Sequence, residues 1–552
     1  MSLLRNVGTI GSLTLLSRIA GMAREMIFSR VLGANAVTDA WFQAFIIPNV
    51  FRRLFAEGAF SAAFVPMFSK RLHGKDDPEE GLEDARSFSA DVLSVFLPVL
   101  IALVAVFELA MPGVIWLLAE KPVDSETYPL AVDFARIMFP YIVLVSLVTL
   151  FTGMLNSVSR FAPGASFPII LNLVLIAALL AGEWYAGATG AGLAEVAYAI
   201  AWAVLGAGVM QLAWLYYWVR VEGFRPKLAR PRITPEVKRL SVIALPAAIG
   251  GGAYQINTLV QLYFLNQLDD GSVSYMNYAD RLNQLPLGII GIALSTAILP
   301  TLSKFVGGDD KEGADRIQSD AIELAMLLTI PAAVALAVCA TPFVMVIFGG
   351  GEFGMADAAA TGDVVAALVL GLPAYVLVKV LVPNFYARAD TRTPVVAAFI
   401  ALGVFVSACI ANVGLAIGGP VDLWAVQFTL PAFGFEGLGY GVPGIAFASV
   451  IGAWINVGFL FAVLAVRGHY TVPAGLLARI ARQALAAAGM GTALWFARGA
   501  LTDWFDDGLL VGFLAVAALV GAAALVYFGI AFATGAIDRA RITTLTRKTA
   551  PE

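Results

Sequence analysis

From Ser17 to Gly58 the chain reads SRIAGMAREMIFSRVLGANAVTDAWFQAFIIPNVFRRLFAEG, two apolar stretches that nevertheless hold Arg18, Arg24, Arg30, Arg52, Arg53, Glu25, Asp39 and Glu57. A guanidinium is a planar fork of donors that matches phosphate oxygens two at a time. In the middle of a membrane helix each one costs about 2.5 to 3.5 kcal/mol on insertion scales, so several are kept only where they face water or protein. The chemistry on offer is capture of an anion in a wet cavity inside a membrane protein. Tyr278-Ala279-Asp280-Arg281 adds an acid and a base to another apolar stretch. Arg18, Arg24, Arg52 and Arg281 are the candidate ligand-binding residues, with Glu25, Asp39, Glu57 and Asp280 as supporting or gating acids. The bland alternative is that the charges pair internally and lock helix packing, and Thr38 or Asp39 would serve as a helix cap. Catalysis and metal binding have little to work with. The two histidines, His73 and His469, fall in polar stretches and the two cysteines, Cys339 and Cys409, in apolar ones. No GxxxxGK[ST] stretch occurs, so ATP hydrolysis is not expected within the chain. No enzyme activity, metal, cofactor or nucleic-acid partner is expected.

The elements that must position these residues follow from composition. With 60% hydrophobic and 13% charged residues, the chain has too little polar surface for a soluble protein of 552 residues. An all-α polytopic membrane protein is expected. Spans of about 20 apolar residues are predicted at fourteen places: 7–30, 38–66, 88–112, 129–155, 163–182, 191–219, 240–265, 275–302, 318–347, 362–386, 394–417, 440–466, 475–498 and 508–534. Ala34-Asn35-Ala36 resembles a signal cleavage site, but Arg18 and Arg24 interrupt the apolar run before it, so the first helix is expected to be retained. With the N-terminus inside, cytoplasmic segments take 25 of the 35 Lys and Arg residues, and the outer loops take only Lys121 and Arg498. That asymmetry predicts both termini in the cytoplasm.

Internal similarity predicts a repeat. FVPMFSK (Phe64 to Lys70) answers ILPTLSK (Ile298 to Lys304), and Pro140-Tyr141 answers Pro373-Ala374-Tyr375 at nearly the same offset. Six spans separate the members of each pair, so the repeat is parallel. Residues 1–232 are expected to form one six-helix bundle, 233–470 a second, and 471–552 two added helices with a cytoplasmic tail. Arg24, Arg52 and Arg281 are then expected to converge where the halves enclose a central space. The runs Gly250-Gly251-Gly252 and Gly349-Gly350-Gly351 read as helix contacts, kinks and turns.

The stretches SRIAGMAREMIFSRVLGA, TDAWFQAFIIPNVFRRLFAEGAFSAAFVPMF, YADRLNQLPLGIIGIALSTAILPTLSK and FYARADTRTP resemble the MurJ (MviN) lipid II flippases of the multidrug/oligosaccharidyl-lipid/polysaccharide exporter superfamily. The resemblance covers about the first 470 residues. It implies a MATE-like fold of two parallel six-helix repeats plus two C-terminal helices, and flipping of lipid II, an undecaprenyl-pyrophosphate-linked peptidoglycan precursor, across the bacterial inner membrane by alternating access. It further implies cavity roles for Arg18, Arg24, Arg52 and Arg281, acids of functional importance at Asp39 and Glu57, and a prenyl-tail groove beside the last two helices. Partners would be lipid II, membrane lipids and the cell-wall synthesis machinery. Gln261 and Ala416 stand where some members carry sodium-binding acids, with only Asn412 kept, so a sodium site is not carried over. Gln284 likewise replaces an acid of some relatives, and the segment from Gly418 to Tyr440 is longer than usual.

The other readings are export of a different polyprenyl-linked oligosaccharide or polysaccharide, efflux of cationic drugs, and a non-transporting scaffold. Cationic drugs call for an acidic cavity, which the arginine surplus disfavours.

Overall fold

The computed structural model describes residues 3–55, 59–119, 125, 127–413, 441–500, 504 and 508–536. Among them every regular element is a helix, with one isolated bridge between Gly350 and Phe353. Ten helical segments are long and apolar enough to cross a membrane. The other four expected spans, 7–30, 38–66, 240–265 and 475–498, also hold helices. Glu57, Lys121, Ala416 and the stretch 418–440 lie outside the described residues.

The chain divides into two compact units, the first made of Met1–Ser274 with Gly350–Phe353, the second of the remainder. The first unit begins with α1 (Leu3–Leu32), α2 (Ala36–Phe55) and α3 (Ala59–His73). It continues with α4 (Pro78–Ala119), α5 (Thr127–Met138) and α6 (Tyr141–Ser157). It closes with α7 (Phe161–Thr189), α8 (Leu193–Val221) and α9 (Pro235–Leu265). Along α3, Phe60, Phe64 and Phe68 recur every fourth residue, so their rings stack 5.4 Å apart on one face and meet Phe88 and Phe96 of α4. Small residues let the helices close up. A Cβ on Gly182 would stand 2.8 Å from Val196, and one on Gly208 2.7 Å from Tyr141. The break between α5 and α6 follows Pro140, and beside it the Tyr141 hydroxyl donates to Gln211 Oε1 of α8 at 3.1 Å.

The second unit takes up α10 (Ser272–Pro286) from Tyr275 onward. A single π-turn, Leu287–Gly291, then leads into α11 (Ile292–Gly307), directly after a proline that removes a backbone donor. Next come α12 (Lys311–Val338), α13 (Ala340–Phe348), α14 (Met355–Val369) and α15 (Leu372–Tyr386). The unit ends with α16 (Arg392–Val413), α17 (Gly441–Val466), α18 (Ala474–Ala500) and α19 (Leu509–Ala533). Buried Gln318 of α12 donates to Val380 O and accepts from Asn384 of α15, which satisfies two polar side chains inside an apolar core. The last two helices pack on α12 and α13, where Gly491 meets Val334 and the Tyr527 hydroxyl donates to Leu327 O.

Several boundaries differ from the apolar spans. Arg86, expected in a loop, lies inside α4, because the helix starts at Pro78 behind Asp77, whose carboxylate accepts from Glu79 N. Arg498, also expected in a loop, lies in the last turn of α18 and donates to Val338 O. The expected span 318–347 is broken at Cys339 into α12 and α13.

Two local features carry expectations for stability. Gly33 (φ +70°) ends α1, and the glycine run after α13 lies against it, with Glu352 N donating to Arg30 O at 2.8 Å. A Cβ on Gly351 (φ +57°) would stand 2.2 Å from Arg30 O. Gly351→Ala is therefore expected to destabilise the protein by about 2 kcal/mol or more, whereas Gly206→Ala, which meets nothing within 4 Å, is expected to be neutral or slightly stabilising. Thermal unfolding in detergent compares them, and equal midpoints would contradict this account. After α15, hydrogen bonds from the Thr393 side chain and backbone, with further help from Arg467, hold the Asp390 carboxyl well below its ordinary value. A depressed carboxyl contributes stability above its unfolded value, near 4, and loses it as pH falls through the lower folded one. Asp390→Asn is expected to lower stability by up to about 1 kcal/mol at pH 7, since Arg467 is solvent-screened, and the gap to wild type should narrow in acid below pH 4. A gap that stays constant with pH would exclude this origin.

Candidate functional site

The charges of α1 and α2 are placed by helix geometry. Arg18 and Arg24 are six residues apart, about 9 Å along the axis of α1. Arg18 is exposed, while Arg24 is drawn inward with its side chain only 12% accessible. The Arg24 guanidinium forms an ion pair with buried Glu25 and donates through Nη1 to Asn172 Oδ1 of α7 at 3.1 Å. Asn172 in turn donates to Ser17 O at 3.1 Å, so one amide spans the interface between α1 and α7 and fixes the arginine's direction. A single asparagine in the apolar run LNLVLIA was the readable signal for this residue.

Arg52 lies in the last turn of α2, where Nε donates to Asn49 Oδ1 at 3.3 Å, three residues back on the same helix. Arg53 is exposed beside it. Their neighbour Glu57 lies outside the described residues.

Asp39 does not serve as the local cap that the bland alternative offered. The start of α2 is capped by Asn35, whose Oδ1 accepts from Val37 N and Thr38 N, while the Thr38 hydroxyl turns back to Leu32 O. Asp39 itself is 2% exposed. Its carboxylate accepts from Gly271 N at 2.7 Å, Ser274 N at 2.8 Å and Ser274 Oγ at 2.6 Å. It therefore caps the first turn of the helix that starts at Ser272, more than 230 residues away in sequence. Three donors at a helix N-terminus satisfy a carboxylate that burial would otherwise leave without partners.

In the second unit, Asp280 and Arg281 occupy consecutive positions of α10, both half-buried. The Gln284 side chain donates to Asp280 one turn back, so this glutamine serves as an amide partner for the acid. An apolar recess of about 400 Å³ lies in the first unit, lined by Ile101, Val104, Pro140, Val143, Leu144, Leu205 and Val209. It lies on α4, α6 and α8.

The structure thus brings together Arg24, Glu25 and Asn172 in one cluster, Asp39 with the segment 271–274 in a second, and Asp280 with Gln284 in a third. Glu25 and Asp39 are already engaged by partners within the first unit, whereas the Arg24 guanidinium keeps donors beyond those given to Glu25 and Asn172.

The sequence profile of the family described as "Lipid II flippase MurJ" matches residues 28–515. A protein of Rhizobium meliloti (strain 1021), "Probable lipid II flippase MurJ", is 40% identical over 97% of this chain and 94% of its own length. The "Lipid II flippase MurJ" of Burkholderia cenocepacia is 33% identical over 86% of each chain. Among solved structures, "Lipid II flippase MurJ, inward closed conformation" superposes with a TM-score of 0.69 at 24% identity, covering 94% of this chain and 99% of the other. An inward-facing MATE multidrug transporter of the MOP superfamily superposes with a TM-score of 0.63 at 15% identity, over 84% of this chain and 98% of its own. The two structural matches speak to the fold, whereas the profile and the 40% identity over nearly the full length carry ancestry: this chain belongs to the MurJ lipid II flippase family.

Proposed function

We propose that this chain is a lipid II flippase of the bacterial inner membrane, moving its substrate from the inner to the outer leaflet by alternating access. The observation that carries the reading is 40% identity across nearly the whole length to a protein named as such a flippase, and the fixed arginines supply its physics. Arg18, Arg24, Arg52 and Arg281 bind the pyrophosphate, with Glu25, Asp39, Glu57 and Asp280 as supporting acids. Like charges held in a medium of reduced dielectric repel one another, and a pyrophosphate relieves that repulsion. It therefore favours whichever conformation draws the arginines closest, which is the differential binding that a switch requires. The product is the same lipid on the other leaflet, so this is transport and no covalent step is involved.

The finer architecture is fourteen spans, six of them repeated as α1–α8 and α9–α17, with both termini cytoplasmic and α18 and α19 added outside the repeat. Packing within each unit supports the repeat. In the first, α3 packs on α4 and α6, and α8 packs on α5, α6 and α7; in the second, α11 packs on α12 and α15, and α17 on α14, α15 and α16. Local detail supports it as well. Tyr141 bonds Gln211 of α8 as Tyr375 bonds Ser449 of α17. Ser159 and Ala389 are both left-handed non-glycine residues that end their helices with the same three backbone hydrogen bonds. The next residues, Arg160 and Asp390, pair with Glu222 and Arg467 at the ends of α8 and α17, the same contact with its charges exchanged. The basic-loop asymmetry supports the orientation.

The test is depletion of this protein in its own bacterium, with complementation by variants and a measurement of lipid-linked precursor on the inner leaflet. Arg24→Ala, Arg52→Ala and Arg281→Ala are each expected to reduce flipping more than about tenfold, because a charge-assisted bidentate contact worth about 1.5 to 3 kcal/mol is lost, with membrane expression unchanged. Lysine at the same positions should retain part of the activity. Near-normal flipping by all three alanine variants would overturn the assignment. Asp39→Ala is expected to act differently, through stability: two backbone donors and one hydroxyl lose a buried acceptor, about 2 to 4 kcal/mol, read as a fall in the unfolding midpoint that Asp39→Asn only partly reproduces. An unchanged midpoint would leave Asp39 a functional acid alone.

A further inference from the structure

The segment joining α8 to α9 plays no part in the proposed cycle, yet it is the most basic stretch of the chain. Between 220 and 239 it holds seven basic residues against two acids, Glu222 and Glu236. Glu222 is taken by Arg160 at 2.7 Å, and Glu236 lies 3.9 Å from Arg71. Residues 224–234 are neither helix nor strand, and Pro226, Pro231 and Pro235 hold such a segment extended.

This strap is pinned at two points. Near its start, Phe224 is buried at 1% exposure with its ring 5.3 Å from that of Phe68, and Arg86 of α4 donates to Gly223 O. Further on, Ala229 N donates to Ser94 Oγ of α4 at 2.7 Å. Between and beyond the pins, Arg225, Lys227, Arg230 and Arg232 are all exposed. Leu228 and Ile233, at 67% and 77% exposure, stand out among them. A strap that only connects two helices in water has no use for two projecting aliphatic side chains. One that begins where a membrane-crossing helix of 29 residues ends lies at the level of the lipid headgroups. There, basic side chains meet phosphates and aliphatic ones reach the acyl boundary.

We propose that the 224–234 strap is a docking surface for anionic phospholipid headgroups of the leaflet in which α8 ends. Charge complementarity selects the partner, and the projecting Leu228 and Ile233 select a lipid surface over a dissolved phosphate. Each basic residue at an anionic surface contributes about fivefold in affinity.

The test uses the purified full-length protein in neutral detergent, titrated with phosphatidylglycerol or phosphatidylcholine in mixed micelles and followed by thermal stabilisation. Wild type is expected to prefer phosphatidylglycerol by at least about tenfold, less at high salt. The R225Q/K227Q/R230Q/R232Q variant should lose most of that preference, and R225K/R230K/R232K should keep it. L228S/I233S should bind phosphatidylglycerol more weakly with an unchanged salt dependence, and it decides the matter if the fourfold variant does not fold. The proposal is overturned if both strap variants keep the wild-type preference, or if K304Q/K311Q/R316Q, which removes charge elsewhere, loses as much. Displacement of the lipid by inorganic phosphate at equal ionic strength would also overturn it. So would lost flipping with an unchanged lipid preference, which would assign the strap to a protein partner.

Discussion

An ionised group inside an apolar helix bundle must find a partner or be hydrated, and that constraint orders most of what distinguishes this protein from a generic bundle. Asp39 meets it with backbone, offering its two oxygens to Gly271 and Ser274 at the start of a helix. Arg24 meets it with side chains, taking Glu25 and Asn172. The two solutions have different consequences. A carboxylate satisfied by a helix terminus is committed to structure, because withdrawing it strands two amides. A guanidinium held by one acid and one amide still has donors to give, so it is not committed to structure in the same way.

The same constraint explains how polar residues are distributed elsewhere. Gln211, Gln318 and Asn384 are buried amides, each bonded to a hydroxyl, an amide or a backbone carbonyl of a neighbouring helix. Between helices whose outer faces are as apolar as lipid, such bonds and the close approaches at glycine supply the specificity that hydrophobic burial supplies in water.

Much of this was legible from residue types. Composition and the spacing of apolar runs pointed to a polytopic membrane protein, and the resemblance to MurJ proteins in the second span is borne out along the length of the chain. Helix ends were less legible because hydropathy marks where a helix leaves the apolar layer, whereas capping marks where it stops. Asp77-Pro78-Glu79 was the readable signal for the true start of α4. Asp39 was illegible in principle. A threonine-aspartate pair at the start of an apolar helix reads as a local cap, and nothing in the sequence says that Asn35 takes that task and frees Asp39 for a turn 232 residues away. Asn172 was visible as a lone polar residue in an apolar run, but its partners are set by how α1 lies on α7.

The exchanged ion pairs bear on how the chain assembles. Arg160 meets Glu222 in one unit, and Asp390 meets Arg467 in the other. In the first pair the base follows the shorter helix and the acid ends the longer one; in the second the order is reversed. Neither loop could therefore exchange partners with the other, because Arg160 beside Arg467, or Asp390 beside Glu222, would be a repulsive contact in place of an attractive one.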